Sequence, residues 1–329
     1  MEKLFIGVDV SKDTFDVCVL TELESVHTKN LVFSNDHQGI KDFIEFIFNL
    51  DGICKWVCLE HTGHYGALLT SSLVNNGIAM TLVNPLEIKR SSGLARGKTD
   101  PIDAMRIATY AVVFNRSLTP FVLPVKAVEE LKTLMAQREL ETKVSTMYKN
   151  KLKGLKIKHE TTDVQMLINI CQKSIDLHKD TITQLETAMK NIIKCNEYLM
   201  VSYRKITKVI GVGPITAIKC LVETDNFNRF ASARKFSCHC GLAPFAYQSG
   251  SSVKGKTRTS KHRKKDLKAV LFKAAATAVQ HDPQLKSYYK RKLNEGKHKL
   301  SVLNAVANKL VLRIFAVAQR EEPFVRINQ

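Results

Sequence analysis

Several features that define common classes of protein are missing from this sequence. No apolar run in its 329 residues reaches membrane-spanning length, and the N-terminus predicts a folded strand instead of a signal peptide. The eight cysteines are scattered through apolar stretches, which is typical of reduced core residues rather than of a disulfide framework. We therefore expect a globular, cytoplasmic protein.

Proline and glycine are almost absent from the middle of the chain. Residues 125–213 contain no proline, and Gly154 is the only glycine there before Gly211. Apolar residues recur at helical spacing in two blocks, which a polar break at 160–163 separates. This pattern predicts two long helices in an antiparallel hairpin or coiled coil, which either carries oligomer contacts or spaces two domains of one chain.

Acidic residues are scarce in the C-terminal part of the chain. Residues 201–329 contain 26 Lys/Arg and 7 Asp/Glu, whereas residues 1–200 contain 24 of each, so the C-terminal part carries the whole net charge of +19. Such an excess is larger than solubility requires and indicates a surface for a polyanion. Nucleic acid is favoured over lipid, because no strongly amphipathic terminal helix accompanies the charge.

Four acidic residues stand at the ends of predicted elements: Asp9, Glu60, Asp100 and Asp103. Asp9 follows the strand-like run L-F-I-G-V, Glu60 ends the run K-W-V-C-L, and the two aspartates begin a helix in K-T-D-P-I-D-A. Carboxylates that converge repel one another unless a cation lies between them, and oxygen ligands suit Mg²⁺ or Mn²⁺. The sequence thus predicts a metal site for phosphodiester chemistry. The simpler alternative is that such acids cap helices, as Asp100 would at an N-cap.

The order of the N-terminal elements is three strands, a helix, a strand, a helix and a strand. The first two strands, at 4–10 and 15–20, would pair through the turn S-K-D-T. This order resembles the ribonuclease H-like α/β fold, which places acids at the ends of its first and fourth strands.

The C-terminal part contains two patterns that are typical of contacts with a phosphate backbone. In I-T-K-V-I-G-V-G-P-I-T-A at 206–217, Gly211 and Gly213 predict the turn of a helix-hairpin-helix, where helical N–H groups bind a phosphate; an ordinary helical corner is the alternative. A loop-rich stretch at 241–261 then leads into a cationic run with Ser249 before it. The candidate phosphate-binding cations are Lys254, Lys256, Arg258, Lys261, Arg263, Lys264 and Lys265.

The motif Cys238-His239-Cys240 does not have the spacing of a zinc site. Zinc ligands come as C-x₂₋₄-C pairs with a second pair at a distance, and this sequence has neither. We interpret these cysteines as core residues.

These motifs together resemble the DEDD transposases of the insertion sequence 110 family, which includes the Piv DNA invertases. The similarity rests on D-V-S-K at 9–12, L-E-H-T-G at 59–63, K-T-D-P-I-D-A at 98–104, I-G-V-G-P-I-T-A at 210–217, F-N-R-F-A-S-A-R-K-F at 227–236, G-L-A-P at 241–244 and Q-S-G at 248–250. It extends over nearly the whole chain, in the family's order.

The resemblance implies an architecture and a chemistry. It implies a RuvC-like nuclease domain over 1–120, a coiled-coil linker over 121–204 and a mostly helical, basic transposase domain over 205–329. The family's four metal-binding acids map onto Asp9, Glu60, Asp100 and Asp103. Its serine nucleophile maps onto Ser249, with Ser251 as the second candidate, because Q-S-G-S-S replaces the family's S-S-G. A noncoding bridge RNA that pairs with donor and target DNA, and a homo-oligomer up to a tetramer, are further implications.

Three other functions are compatible with parts of the sequence. A RuvC-like nuclease could cut branched DNA by water attack, with Ser249 as a plain loop residue. A protein that binds DNA or RNA without cleaving it could retain a decayed nuclease fold. A sugar kinase or actin-like ATPase also begins with a G-V-D-x-S strand, but it needs a second phosphate loop that this sequence lacks.

Overall fold

The computed structural model describes residues 3–22, 26–52, 54–61, 63–91, 93, 99–249, 253–259 and 263–320. At 26–27, 29–30, 246–249, 253–254 and 256–258 it describes the backbone alone. The chain divides into two compact units, residues 1–123 and 124–329.

The N-terminal unit is built on a five-stranded mixed sheet in the order β3-β2-β1-β4-β5. Its strands are β1 (Lys3–Val10), β2 (Thr14–Thr21), β3 (Val26–Ser34), β4 (Cys54–Glu60) and β5 (Met80–Val83). The first three strands pair antiparallel, and β4 and β5 run parallel to β1. This is the strand order of the ribonuclease H-like fold, so the predicted fold of this unit is confirmed.

Helices cover both faces of this sheet. They are α1 (His37–Asn49), α2 (Ala67–Asn75), α3 (Pro85–Ser91) and α4 (Asp100–Val113). Leu4, Ile6 and Val8 of β1 point into the core beneath α1 and α2. Phe5 points to the opposite face, where it packs with residues of α4 such as Ala104 and Ala108. The alternation along β1 therefore assigns each of its residues to one face of the sheet.

A long helical hairpin opens the second unit, as the missing proline and glycine predicted. Helix α5 (Lys126–Lys158) and helix α6 (Gln165–Cys195) run antiparallel. Arg138 of α5 lies 2.7 Å from Glu186 of α6, and Glu141 lies 2.5 Å from His178, so the residue numbers rise on one helix as they fall on the other.

The rest of this unit is helical with one β-hairpin. Its elements are α7 (Glu197–Thr207), α8 (Pro214–Thr224), α9 (Ala233–His239), β6 (Pro244–Ser249), β7 (Val253–Thr259), α10 (Lys265–His281), α11 (Pro283–Asn294) and α12 (Lys299–Gln319). The expectation of a loop-rich stretch at 241–261 was wrong, since β6 and β7 pair antiparallel through most of it. Short β-branched and aromatic runs there pair with each other, although their many small and cationic residues had suggested loops.

Within the described part of the chain, α12 is long and apolar enough to cross a membrane by length and composition. This differs from the expectation of no such run. Val306, Leu310 and Ile314 of this helix are fully buried in the core of the second unit, as in the core helix of a soluble protein.

Candidate active site

A close approach of a helix to a strand brings the predicted acids together. A Cβ atom on Gly7 of β1 would lie 2.2 Å from the carbonyl oxygen of Ala104 and 2.3 Å from the amide nitrogen of Ala108. Only glycine therefore lets the α4 backbone rest directly on β1. Asp103 directly precedes Ala104, and Asp9 lies two residues beyond Gly7 on the same face of the strand, so the first turn of α4 lies near the end of β1.

Asp9 and Glu60 lie side by side on that face. Val8 of β1 pairs with Leu59 of β4, and the next step of this parallel register places Asp9 beside Glu60. Neighbouring strands are about 4.8 Å apart. Cys58, two residues before Glu60, packs against α4, so Glu60 shares the face that carries Asp9.

The charges of these acids act on one another. Burial, followed by the charges of Glu60, Asp103 and Asp100, raises the pKa of Asp9 to about 6. Asp103 also accepts a hydrogen bond of 2.7 Å from the guanidinium of Arg106. The structure thus places all four predicted acids at one end of the N-terminal sheet.

The alternative interpretation of Asp100 as an N-cap is wrong. Thr99 occupies the N-cap position, and Asp100 and Asp103 lie in the first turn of α4, with Pro101 between them. Acidic side chains in a first turn are stabilised by the positive end of the helix dipole.

The turn between α7 and α8 forms the second candidate site. Gly211 has a φ of 94° and packs so closely on α10 that a Cβ there would lie 2.5 Å from the carbonyl oxygen of Ala274. Gly213 is the N-cap of α8, is exposed, and has open space around it. The turn borders a cavity of about 890 Å³ that Lys208 and Lys273 also line. The free N–H groups of α8 and two cationic side chains therefore lie at the same concavity.

The structure describes one of the two serine candidates. Ser249 is the last residue of β6 and pairs with Val253 of β7. Ser251 and Lys261 lie outside the described residues. Lys254, Lys256 and Arg258 belong to β7, and a register shift interrupts the pairing between Phe245 and Tyr247.

Lys264, which directly precedes α10, forms an ion pair with Glu223 of α8. Its ammonium lies 2.5 Å from Glu223, a carboxylate only 4% exposed. Burial opposes ionisation of Glu223, but the hydrogen bond and the charge of Lys264, together with the charge of Lys219, outweigh it and hold the pKa of Glu223 at about 2. The charge of Lys264 is thereby matched within the protein, although its side chain, like that of Lys265, is exposed.

A buried lysine connects this region to the helical hairpin. Lys219 of α8 is 3% exposed and donates to Glu139 of α5 and, at 2.8 Å, to Asp266 of α10. His239, in the motif at 238–240, lies 3.6 Å from the carboxylate of Glu223.

Two family models match this chain. Residues 6–155 match the model of the DEDD transposases of IS110, and residues 203–290 match the model of the transposase IS116/IS110/IS902 family. Together the two stretches cover more than two thirds of the chain. The chain belongs to the IS110 family of transposases. The predicted family is thereby confirmed, and the protein is an enzyme of DNA recombination.

Similar proteins extend over the whole length of this transposase. It is 28% identical over 334 residues to the pilin gene-inverting protein of Moraxella lacunata, with 98% of both chains covered. It is 23% identical over 350 residues to the transposase for insertion sequence element IS1111A of Coxiella burnetii, with 97% of this chain and 90% of that one covered. A solved T. thermophilus RuvC in complex with a Holliday junction substrate is 13% identical, with a TM-score of 0.30, and covers 36% of this chain and 99% of that one.

The sequence analysis did not identify a fifth acidic residue of the transposase, which lies beside Asp9 at the acidic site. Asp16 of β2 pairs directly with Asp9 and is 6% exposed. Burial and the charge of Asp100 raise the pKa of Asp16. The signal was present in the predicted hairpin of β1 and β2, because counting outward from its turn pairs the two aspartates and places them on one face.

The chemical type of the donor atoms at the acidic site suits a divalent cation. Every donor is a carboxylate oxygen, the ligand type that Mg²⁺ and Mn²⁺ prefer. The repulsion that raises the pKa of Asp9 is also what a bound cation would relieve. In the described part of the chain, no three His, Cys, Asp or Glu side chains are close enough as they stand to hold a metal ion. The backbone brings the acids to one end of the sheet, and side-chain rotation would have to complete the coordination.

Proposed function

We propose that this transposase cleaves and rejoins the DNA of a mobile insertion element with its acid tetrad and a serine nucleophile. The observation that carries the proposal is the alignment of Asp9 with Glu60 on the sheet face that the first turn of α4 covers. A divalent cation, Mg²⁺ or Mn²⁺, would be held by Asp9, Glu60, Asp100 and Asp103. When bound, it would stabilise charge on the scissile phosphate.

The protein residues around this cation have separate tasks in the proposal. Asp9 and Glu60 stand on adjacent paired strands, so their backbone positions are fixed relative to each other. Asp100 and Asp103 approach from the helix, and Arg106 orients the carboxylate of Asp103 through its 2.7 Å hydrogen bond. Such support of a ligand by a neighbouring group is what keeps a metal site in one geometry.

Ser249 is the proposed nucleophile. Its hydroxyl oxygen would form an ester bond to phosphorus while one backbone P–O bond breaks, and the serine proton would leave to a base. Because one phosphoester replaces another, the reverse attack by a DNA hydroxyl can rejoin the strand. Its place as the last residue of β6, where a rigid element ends, supports this role.

The basic unit is proposed to hold the DNA backbone. The turn at Gly211 and Gly213 supplies helical N–H groups, with Lys208 and Lys273 at the same cavity. The β7 cations and the remaining candidates at 261–265 would add contacts, except that the charge of Lys264 is already matched by Glu223. These contacts would not depend on base sequence.

The guide RNA and the homo-oligomer are proposed from the family resemblance alone. Sequencing the nucleic acid that copurifies with the protein tests the first. A discrete RNA encoded by the element supports guidance, whereas its absence at low salt supports direct recognition of DNA. As an enzyme of chromosomal DNA, the protein would work in the cytoplasm at the nucleoid.

The serine mechanism is tested by trapping. The protein, together with the nucleic acid that copurifies with it, is incubated with Mn²⁺ and a plasmid that carries its own element, then denatured, and DNA-linked protein is measured on a gel. We expect a covalent species with the parent and with Ser251→Ala, and none with Ser249→Ala. The reverse pattern would assign the nucleophile to Ser251.

Two other outcomes distinguish the alternative functions. If Ser249→Ala and Ser251→Ala both cut as fast as the parent and no covalent species forms, the protein is a nuclease that uses water. If neither the parent nor any variant nicks DNA with metal present, the protein only binds nucleic acid.

A further inference from the structure

We propose that Asp16 supplies a further ligand oxygen at the acidic site, for a divalent cation that it shares with Asp9 and Asp100. This inference rests on the proposed function of the site. It adds a residue that lies outside the four acids of the family motifs, on a strand that contributes none of them.

The first support is the geometry of the sheet. Asp9 and Asp16 are directly paired across the antiparallel strands β1 and β2. Directly opposite residues of such a pair point to the same face, and their Cα atoms are about 5 Å apart. Glu60 flanks Asp9 on its other side, from β4. Three carboxylates therefore form a row across three adjacent strands, with Asp9 in the middle.

The packing of β2 confirms which face Asp16 occupies. Cys18 and Leu20, which alternate with it, belong to the core between the sheet and α4. Phe15, Val17 and Val19 belong to the core on the opposite face. Asp16 thus stands on the face that α4 covers, close enough to Asp100 for that charge to act on it.

The second support is that Asp16 is buried while, among the described residues, no hydrogen-bond donor reaches its carboxylate. Asp16 is 6% exposed, and within the described part of the chain no hydrogen bond or ion pair reaches its carboxylate. Asp103 differs, because it has Arg106 as a partner. A buried carboxylate that lacks a donor and faces other carboxylates must take up either a proton or a cation to compensate its charge, and metal titration distinguishes the two. An apolar residue would otherwise suit this strand position, as at Cys18 and Leu20.

The arrangement indicates the kind of ion. Asp16, Asp9 and Asp100 offer only oxygen atoms, so a small, hard divalent cation fits better than a thiophilic one. Asp9, in the middle of the row, can face one ion on the side of Glu60 and another on the side of Asp16. Two such ions on either side of one carboxylate would suit the displacement at a phosphate.

Binding of Mn²⁺ alone to the full chain tests this proposal without DNA or turnover. Isothermal titration calorimetry, together with the electron paramagnetic resonance signal of free Mn²⁺, gives the affinity and the number of ions. We expect Asp16→Asn to lose one bound ion or to weaken binding at least tenfold. Asp13→Asn is the matched control, since Asp13 is exposed in the turn between the same two strands and should leave binding unchanged.

A second variant guards against misfolding. Asp16→Val places a β-branched apolar side chain on this buried face, so it should fold at least as well as the parent and still show the reduced Mn²⁺ binding. The role of Asp16 would be overturned if Asp16→Asn or Asp16→Val bound Mn²⁺ as the parent does while Asp9→Asn had lost binding. Parental binding in Asp9→Asn as well would instead overturn the proposed metal site as a whole.

Discussion

The protonation of Asp9 depends on the burial and the charges of the whole acidic site. Its pKa is raised to about 6, because burial and the neighbouring carboxylates both disfavour its charged form. In the unfolded chain the same carboxyl group would titrate near its ordinary pKa of 3.8. The folded state therefore binds a proton more tightly than the unfolded state, and this links folding of the unit to pH.

We predict that Asp9→Asn stabilises the metal-free N-terminal unit at neutral pH. Without metal, the contribution of Asp9 to stability is fully present below pH 3.8 and is lost as the pH rises through about 6. Because Asp9 is partly exposed, solvent screens its charge, and the effect on stability should stay below about 3 kcal/mol. The variant should thus match the parent near pH 4 and exceed it in stability at pH 8.

Urea unfolding in EDTA, at pH 4, 6 and 8, measures this difference. Fluorescence of Trp56 is the suitable signal, because Trp56 is the only tryptophan and lies in the N-terminal unit, where its indole N–H donates to Thr81 at 3.0 Å. Added Mg²⁺ should restore the parent at pH 8 and have little effect on the variant. A variant that is less stable than the parent at every pH would contradict the assigned repulsion.

At the scale of elements, the site depends on how closely α4 lies on β1. The helix brings Asp100 and Asp103 to Asp9 only because Gly7 has no side chain. The contact is between two backbones, so neither partner can rotate away from an added atom.

We predict that Gly7→Ala displaces α4 and weakens the N-terminal unit by at least about 2 kcal/mol. The added Cβ would meet the carbonyl oxygen of Ala104 at 2.2 Å, and the first turn of α4 would move away from Asp9. Urea unfolding followed by Trp56 measures the loss, and calorimetry should show weaker Mn²⁺ binding.

Gly154→Ala is the control for this substitution. Gly154 lies within α5 and has open space where a Cβ would be added. Alanine there should stabilise the helix by about 0.5–1 kcal/mol, as followed by circular dichroism. A Gly7→Ala protein with parental stability and Mn²⁺ affinity would show that α4 does not need this close contact.

At the scale of the whole molecule, the uneven charge is the dominant feature. All of the net charge of +19 resides in residues 201–329, whereas residues 1–200 are balanced. Association with DNA releases counterions in proportion to the phosphates that are neutralised, so its affinity should fall steeply with salt.

We predict that replacing Lys254, Lys256 and Arg258 together by alanine lowers the magnitude of the slope of log K against log salt by about 2–3, since each lost phosphate contact removes about 0.9. Fluorescence anisotropy with a random DNA duplex at 50–200 mM salt measures the slope. The matched control replaces three exposed lysines of α5, Lys149, Lys151 and Lys153, and should change the slope less. Equal losses in both triple variants would mean that β7 is not a preferred DNA surface.

Much of the fold followed from local patterns. The missing proline and glycine predicted α5 and α6, and the order of apolar runs predicted the succession of strands and helices along the N-terminal unit. The hairpin of β6 and β7 was not predicted, because its small and cationic residues are typical of loops and its pairing depends on contacts between two weak strands. Helix α11 was also missed, since its polar sequence has little apolar periodicity.

The sequence by itself determined which residue types stand at the ends of elements, because strand and helix periodicity and the placement of charge are local properties. It thus determined the family, the candidate acids and the basic C-terminal part. Only the tertiary structure decided which charges meet. The parallel register of β1 and β4 placed Glu60 beside Asp9, the missing side chain of Gly7 brought α4 onto the sheet, and the fold matched Lys264 with Glu223. Contacts between segments distant along the chain set these pairs, and no local pattern records them.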